Sequence, residues 1–232
     1  MDSYTLRKLL EEKAHELGFL EFGVAKADAL DEEAQRLREY LDLGYHAAME
    51  WMTRNVRRRT DPREVVPGAQ SVIMVSYNYY TGRAPEDNSK AKISNYAWGD
   101  DYHEVVTPKV RDLETYLHEI TDSDVHSLSY VDTGPIMEKA WAARAGIGWI
   151  GKHTNLIHRE HGSWFFLGAI IADIELEYDS PIPDYCGSCQ KCIEACPTDA
   201  IVSEYVLDSS KCLSFLTIEN RENAIPEPEA PH

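Results

Sequence analysis

The sequence predicts a mixed α/β (α+β) domain over residues 1–177, followed by a small cysteine-rich domain over residues 178–232. Helix-like and strand-like apolar patterns alternate up to about residue 177, which is typical of a domain that layers helices on a sheet. The segment 178–184 is rich in proline and aspartate, as linkers often are. All five cysteines lie beyond it, between residues 186 and 212, so the two parts differ in composition as well as in pattern.

The spacing of apolar residues predicts the first helices and the first strand of the chain. Five apolar residues near the N-terminus share one helical face: Leu6, Leu9, Leu10, Ala14 and Leu17. Gly18 suits the position that follows a helix end. A short buried strand is predicted at 19–25, and helical segments are predicted at 31–41 and 47–53.

The later elements alternate in the same way. In chain order they are a strand at 72–79, a polar loop at 81–91, a helix at 103–121, strands at 126–131 and 164–172 with a helix at 136–145 between them, and short elements at 200–202 and 210–217. The helix at 103–121 has the clearest apolar periodicity, and a tail rich in proline and glutamate occupies 226–232.

The charge balance limits the possible partners. The chain has 40 acidic residues against 23 basic ones and a net charge of −17, which opposes binding to nucleic acid through phosphate neutralisation. The N-terminus has no apolar core of a signal peptide. The longest apolar run, 164–172, is far shorter than the roughly 20 residues that cross a bilayer. We therefore expect a cytoplasmic protein without a membrane partner.

One basic cluster departs from this balance. Five arginines lie within ten residues and are opposed there only by Asp61: Arg54, Arg57, Arg58, Arg59 and Arg63. They form either a solvated helix end or a site for a phosphate-bearing ligand, because guanidinium groups pair with phosphate oxygens. The sequence leaves both interpretations open.

The cysteine run indicates an iron–sulfur site. Its spacing, Cys-x2-Cys-x2-Cys-x3-Cys-Pro over residues 186–197, is the bacterial ferredoxin pattern, in which three thiolates bind one [4Fe-4S] cluster and the fourth binds another. Zinc is the main alternative, but its cysteines usually come as two separated Cys-x2-Cys pairs. Five cysteines are too few for two clusters, so we expect the ligand sets to be incomplete, as in a chain truncated at its C-terminus.

Several motifs together resemble one family, the cobalamin-dependent epoxyqueuosine reductases of tRNA modification. In chain order they are RTDP at 59–62, WGDDYH at 98–103, VDTGP at 131–135, RAGIGW at 144–149, GSWFFL at 162–167, CGSCQKC at 186–192, ACP at 195–197 and KCLSFLT at 211–217. The resemblance spans nearly the whole chain in the family's order. It implies a cobalamin-binding domain followed by a partial ferredoxin-like domain.

The resemblance also implies site residues. The first [4Fe-4S] cluster would use Cys186, Cys189 and Cys192, and the second would use Cys196 and Cys212. The cobalamin contacts would be Arg59, Ser94, Asp132, Leu156, Leu167 and Ser214. Of these, Arg59 has donors for an amide or phosphate of cobalamin, whereas the two leucines are equally well explained as core residues.

The implied reaction is the reduction of epoxyqueuosine to queuosine at the tRNA wobble position. Electrons would pass from an external donor through the clusters to cobalamin, and Asp132 would give a proton to the departing oxygen. The residue pattern alone also allows Asp132 or Thr133 to be an N-cap of the predicted helix at 136–145. The resemblance favours the catalytic role.

Three other functions fit parts of the sequence. They are a ferredoxin-type electron carrier without its own catalysis, a corrinoid iron–sulfur reductase acting on another substrate such as an organohalide, and a zinc-binding structural domain. The negative charge argues against a tRNA substrate unless RNA is held elsewhere in the protein. The lack of an export signal argues against the dehalogenase.

Overall fold

The computed structural model describes residues 1–83, 93–121 and 124–221. Most of the predicted loop 81–91 and the whole predicted tail 226–232 lie outside these residues. Within them, no helix is both long and apolar enough to cross a membrane.

The first part of the chain contains the larger elements. They are α1 (Ser3–Glu16), β1 (Glu21–Lys26), α2 (Asp31–Asp42), α3 (Val56–Thr60), β2 (Ser71–Asn78), α4 (Tyr102–Ile120), β3 (Ser127–Tyr130), α5 (Glu138–Arg144), β4 (Trp149–Ile150), β5 (Leu156–Ile157) and β6 (Phe165–Ala172). Short 3-10 helices occur at Glu50–Thr53, Pro62–Glu64 and Asn95–Ala97. The helix predicted at 47–53 is therefore reduced to one 3-10 turn, which follows Ala47 in a left-handed conformation (φ 51°).

The cysteine-rich part contains only short elements. They are α6 (Lys191–Glu194), β7 (Ile201–Ser203), β8 (Val206–Leu207), a 3-10 turn at Ser209–Lys211 and a π-helical turn at Phe215–Glu219. The strands β7 and β8 pair with each other as a hairpin. The short elements predicted at 200–202 and 210–217 correspond to β7 and to the last two turns.

A four-stranded sheet with the order β1-β2-β6-β3 forms the centre of the first part. All three strand pairs are antiparallel, and Ile73 of β2 pairs with Val24 on one side and Ile170 on the other. The predicted mixed α/β architecture is confirmed. The antiparallel pairing makes it the α+β form, because the alternation of helices and strands does not by itself determine strand direction.

Helices cover both faces of the sheet. Along β2, Ile73 and Val75 point into a core with α1 and α4, whereas Val72 and Met74 point into a second core with α5. Successive strand residues point to opposite sides of the sheet, and helices cover both sides, so consecutive residues of β2 are buried. This explains why the strand reads as a continuous apolar run rather than an alternating one.

The cysteine-rich part docks on the first part through polar and aromatic contacts. The hydroxyl groups of Tyr40 and Ser209 lie 2.6 Å apart, and the Tyr205 N–H donates to the Lys152 carbonyl at 2.9 Å. The predicted linker is anchored as well, because Arg7 donates to Asp179 at 2.8 Å. The domain boundary at 177/178 stays a prediction.

Candidate functional site

Asp132 lies in an irregular segment after the edge strand β3. Its backbone is left-handed (φ 57°), which is uncommon for a residue other than glycine. Helix α5 begins later, at Glu138, with Met137 in the N-cap position and no side-chain cap. The N-cap interpretation of Asp132 and Thr133 is therefore wrong, because five residues separate Asp132 from the first residue of the helix.

Tyr102 binds the Asp132 side chain. The Tyr102 hydroxyl donates to Asp132 Oδ2 at 2.6 Å, and its ring stacks on Phe166 with centroids 4.3 Å apart. Burial, followed by the hydrogen bond to Asp132 and its charge, raises the pKa of Tyr102. Tyr102 therefore stays protonated and acts as the donor that orients the carboxylate.

A second carboxyl group, Glu138, lies beside Asp132. Burial raises the pKa of Glu138 to about 7, and the charge of Asp132 adds to this, while the backbone N–H groups of Glu138 and Asp132 oppose it. The Oε1 atom of Glu138 is buried and has no hydrogen-bond partner among the described residues. Two carboxyl groups with different environments thus lie next to each other.

Arg59 faces the same carboxyl group. Burial lowers the pKa of Arg59, and the charge of Glu138 opposes this, which places the two side chains within electrostatic reach. The guanidinium lies over the Trp51 ring, 4.9 Å from its centroid. Its hydrogen bonds to the carbonyls of Arg54 and Trp51 are both long, at 3.4 Å, so its donors are weakly engaged.

Ser94 and Leu167 lie towards the same end of the sheet. Ser94 is exposed and precedes the 3-10 helix Asn95–Ala97, where the Tyr96 ring meets Phe166 edge-on at 6.5 Å. Leu167 follows Phe166 on β6. The Phe166 ring stacks on Tyr102, which binds Asp132, so Leu167 is next in sequence to a residue of the aromatic group beside Asp132.

Leu156 has a different environment. Its side chain is buried in the core that contains α5, and its carbonyl accepts from the Ser163 hydroxyl at 2.6 Å. The structure thus places Arg59 and Asp132 within electrostatic reach of the same Glu138 side chain. Ser94 and Leu167 are close in sequence to the aromatic rings beside Asp132, whereas Leu156 is a core residue. The cobalamin role of all these residues stays a prediction.

A cavity of about 430 Å³ lies on the other side of the α5 N-terminus. Its lining includes three of the predicted site residues, Cys196, Cys212 and Ser214. Lys139 also lines it and donates to Asn155 Oδ1 at 2.7 Å. Lys139 is within electrostatic reach of Glu138, Asp132 and Cys212, so the first turn of α5 lies near both the carboxyl pair and the Cys212 thiol.

The Cys196 thiol points into a group of backbone donors. Burial raises the pKa of Cys196, but the N–H groups of Ile201, Thr198 and Ala200 outweigh it and lower the pKa below its ordinary value. Donors arranged in this way favour a thiolate, which is the form that binds iron. The geometry therefore fits a cluster ligand.

The other three thiols of the run follow one another in a tight loop. The Cys189 N–H donates to the Cys186 carbonyl at 3.0 Å, and Gly187 between them is left-handed (φ 50°). The buried Lys152 supports this loop, because its ammonium donates to the Gly187 carbonyl and to Glu204, both at 2.7 Å. All five cysteines of the chain are free thiols.

Sequence reasoning missed Glu138, Lys139 and the role of Lys152, and it gave no separate role to Tyr102, which lies within the WGDDYH motif at 98–103. A charged pair at the start of a helix is usually solvated, so nothing in the pattern pointed to Glu138 or Lys139. Lys152 is 3% exposed, and lysines are almost never buried without a partner. The available signal was its position directly after Gly151, close to the RAGIGW motif at 144–149.

Another group of possible metal ligands lies apart from this site. Ligand atoms of Glu21, His158 and His161 lie within 4.8 Å of one another. However, His158 Nδ1 accepts from the N–H groups of Glu160 and His161, at 3.1 and 3.2 Å. This places the ring proton on Nε2, which faces Glu21 at 3.2 Å, so the geometry is that of a hydrogen bond rather than a metal site.

Two segments of the chain match known families. Residues 59–133 match the family described as Epoxyqueuosine reductase QueG, DUF1730. Residues 185–232 match the 4Fe-4S double cluster binding domain. The second match includes the whole cysteine run and favours iron–sulfur over the zinc alternative.

Comparisons over most of this chain identify the same family. The chain is 51% identical to an epoxyqueuosine reductase of Synechocystis sp. over 84% of its own length and 67% of the relative. A crystal structure of epoxyqueuosine reductase with an epoxyqueuosine-modified tRNA-Tyr stem loop superposes with a TM-score of 0.84 at 33% identity, covering 93% of this chain and 58% of that one. The Bacillus subtilis enzyme, in a structure with its catalytic aspartate loop swung out of the active site, superposes with a TM-score of 0.84 at 33% identity. The match covers 93% of this chain and 57% of that one.

A more distant likeness concerns the fold alone. The reductive dehalogenase NpRdhA superposes with a TM-score of 0.54 at 14% identity over 89% of this chain and 24% of that one. The present chain thus spans a little over half the length of the solved reductases that it matches and about two thirds of the Synechocystis relative.

Proposed function

This chain belongs to the epoxyqueuosine reductase family, and from that membership we propose that it reduces epoxyqueuosine to queuosine at the wobble position of tRNA, with electrons passing from [4Fe-4S] clusters to cobalamin. The observation that carries the proposal is the Tyr102–Asp132 pair beside Glu138 and Arg59. The tRNA stem loop bound to a related reductase supports RNA as the substrate. A tRNA substrate also supports a cytoplasmic location.

The carboxyl pair and its neighbours suit a cobalamin cofactor. Cobalamin carries amide side chains and a phosphate, and Arg59 has weakly engaged donors for a carbonyl or phosphate oxygen. Glu138 Oε1, which is buried and has no partner among the described residues, would accept from an amide N–H. When bound, cobalamin supplies a reducible cobalt centre that is a strong nucleophile toward an epoxide carbon. The proposed contacts of Ser94, Leu156, Leu167 and Ser214 rest on the family resemblance.

The thiols suit two iron–sulfur clusters. Cys186 and Cys189 lie in one loop and Cys192 lies in α6 directly after it, whereas Cys196 and Cys212 line one cavity. This division supports the proposed assignment of three thiols to the first cluster and two to the second. The second pair shares its cavity with Lys139, which follows Glu138 directly, so the residues that would hold this cluster lie close to the start of α5.

The proposed role of Asp132 is to hold a proton on its carboxyl group and give it to the oxygen that leaves the substrate. Loss of the epoxide oxygen as water consumes electrons and protons in equal number, so an acid is required at this point. Tyr102 orients the Asp132 side chain through its hydroxyl. Burial raises the pKa of Glu138 to about 7, so a second carboxyl group within electrostatic reach of Asp132 would hold a proton up to about this pH.

Anaerobic reconstitution tests the function directly. The protein is supplied with iron, sulfide, cobalamin and a strong external reductant, and then with stem-loop RNA that contains epoxyqueuosine. Mass spectrometry should show the loss of one oxygen atom from the modified nucleoside. An enzyme that oxidises the reductant and passes its electrons to another acceptor without changing the RNA would instead be an electron carrier.

A further inference from the structure

The arginine cluster predicted from the sequence divides into paired and unpaired members. Arg57 binds Glu64 at 2.7 Å and Arg63 binds Asp61 at 2.8 Å, so these two charges are neutralised locally. Arg58 donates only to the Glu64 carbonyl, at 3.2 Å. Neither Arg54 nor Arg58 has an acidic partner within residues 1–83, 93–121 and 124–221. Both side chains are exposed.

The unpaired arginines border the Asp132 segment. Burial raises the pKa of Tyr130 and the charge of Arg58 opposes this, so Arg58 is within electrostatic reach of the Tyr130 hydroxyl. The Tyr130 ring packs against the segment that holds Asp132, since a Cβ atom at Gly134 would lie 2.3 Å from it. The Arg54 carbonyl accepts from Arg59, whose guanidinium faces Glu138. The exposed Arg58 side chain therefore lies near the segment that holds Asp132, and the backbone of the exposed Arg54 lies beside Arg59.

An exposed aromatic ring lies in the same place. Trp51 is 46% exposed and carries the Arg59 guanidinium over one face, 4.9 Å from the ring centroid. Proteins that bind RNA loops combine arginines, which contact the backbone, with aromatic rings, on which unpaired bases stack. In a chain with a net charge of −17, this combination is a local exception.

We propose that Arg54 and Arg58 bind backbone phosphates of the RNA loop whose modified nucleoside reaches Asp132, with the exposed Trp51 ring available to a neighbouring base. This inference rests on the proposed function, because it takes tRNA to be the substrate. It assigns the RNA contact to the arginines without acidic partners and not to Arg57 and Arg63. It also explains how an acidic protein can hold a polyanion, since the attraction is confined to one surface.

Binding of a synthetic anticodon stem loop tests the inference without requiring turnover. The unmodified RNA is titrated with the protein by fluorescence anisotropy at several salt concentrations. The double variant Arg54→Glu/Arg58→Glu should bind about 10- to 100-fold more weakly, and the slope of log affinity against log salt should fall by about 0.7 to 0.9 for each lost phosphate contact. Circular dichroism should show an unchanged fold, because both side chains are exposed.

A matched control changes the net charge equally elsewhere. Lys8 and Arg111 are exposed on α1 and α4, which pack on the opposite face of the sheet from α5. Lys8→Glu/Arg111→Glu should leave the RNA affinity within about twofold of wild type, since charges beyond a Debye length of about 10 Å are screened. Equal weakening by both double variants would overturn the inference, because it would reflect net charge alone.

The remaining outcomes separate the inference from the proposed function. RNA binding that Arg54→Glu/Arg58→Glu leaves unchanged, in an enzyme that still removes the epoxide oxygen, would overturn the inference and keep the function. A wild-type protein that neither binds the stem loop nor converts epoxyqueuosine-containing RNA would overturn both. Displacement of the RNA by millimolar inorganic phosphate as effectively as by competing stem loop would show a simple phosphate site and contradict the RNA surface.

Discussion

Residues 1–177 bury two apolar layers against a four-stranded sheet, whereas the described residues of the cysteine-rich part contribute only Ala200, Phe215 and Leu216 to the buried apolar side chains. The first part can therefore hold Asp132 by packing. The second holds its thiols through short hydrogen-bonded turns and through contacts with the first, such as those of Lys152.

The difference shows how each kind of site is stabilised. A left-handed aspartate costs backbone energy, and a rigid sheet with stacked aromatic rings beside it can hold that conformation. A small unit without a core usually depends on metal for its stability. We therefore expect changes near Asp132 to affect catalysis more than folding, and changes at the thiols to affect folding of the second part.

The largest expected effect is that of Asp132→Asn on turnover. The amide keeps the shape of the side chain and can still accept from Tyr102, but it cannot give a proton to the departing oxygen. Turnover of epoxyqueuosine-containing RNA should fall by roughly 10²- to 10⁴-fold, the usual contribution of a general acid. Asp112→Asn, on an exposed position of α4, should have wild-type activity. Near wild-type turnover in Asp132→Asn would place the acid elsewhere.

The next test measures the iron and sulfide that the cysteine-rich part binds, separately from the stability of the first part. Cys192→Ser should lower the iron and acid-labile sulfide bound after reconstitution by about half, because the thiols divide between two clusters. Ser188→Ala, in the same loop, should bind both at wild-type levels. The urea midpoint of the first part should not change, since its core does not include these residues. Stoichiometric zinc without sulfide in the wild-type protein would contradict this account.

A smaller effect is expected for Tyr102→Phe. The variant keeps the ring that stacks on Phe166 but loses the hydrogen bond to Asp132. Because Tyr102 orients the acid and not the substrate, kcat should fall by about 5- to 10-fold while KM stays unchanged, the scale of one ordinary hydrogen bond. Tyr116→Phe on the same helix serves as the control. A rise in KM alone would mean that Tyr102 binds the substrate instead.

The smallest effect concerns Glu138 and pH. The folded protein keeps the Glu138 proton up to a pKa of about 7, whereas the ordinary value for glutamate is 4.5, so the wild type loses stability as the pH rises between these two values. Glu138→Gln removes this loss. The Tm of the variant relative to wild type should therefore be higher at pH 8 than at pH 5, by about 4 to 8 °C, because this pKa difference corresponds to ~2 kcal/mol between these pH values.

The exposed Glu119→Gln should show no such pH dependence. A Tm difference for Glu138→Gln that is the same at both pH values would mean that Glu138 titrates like a solvated glutamate. The difference between the Glu138→Gln and Glu119→Gln variants therefore measures how far the environment of Glu138 departs from solvent.

Features that depend on local spacing could be predicted from the amino-acid sequence. The helix predicted at 103–121 is observed at Tyr102–Ile120, because an apolar stripe with helical period must face a core. The thiol spacing was enough to predict iron–sulfur chemistry, since a cluster needs its ligands at short, regular separations. The family motifs pointed to Arg59 and Asp132, which the fold brings within reach of the same Glu138 side chain.

Features that depend on which distant residues meet became visible only in the folded chain. The left-handed Asp132, the late start of α5 and the hydrogen bond from Tyr102 all result from packing of β3, α4 and β6. The raised pKa of Glu138 requires burial beside Asp132, and burial is a property of the assembled fold. The division of the arginines into paired and unpaired members was likewise hidden, because the sequence shows their charges but not their partners.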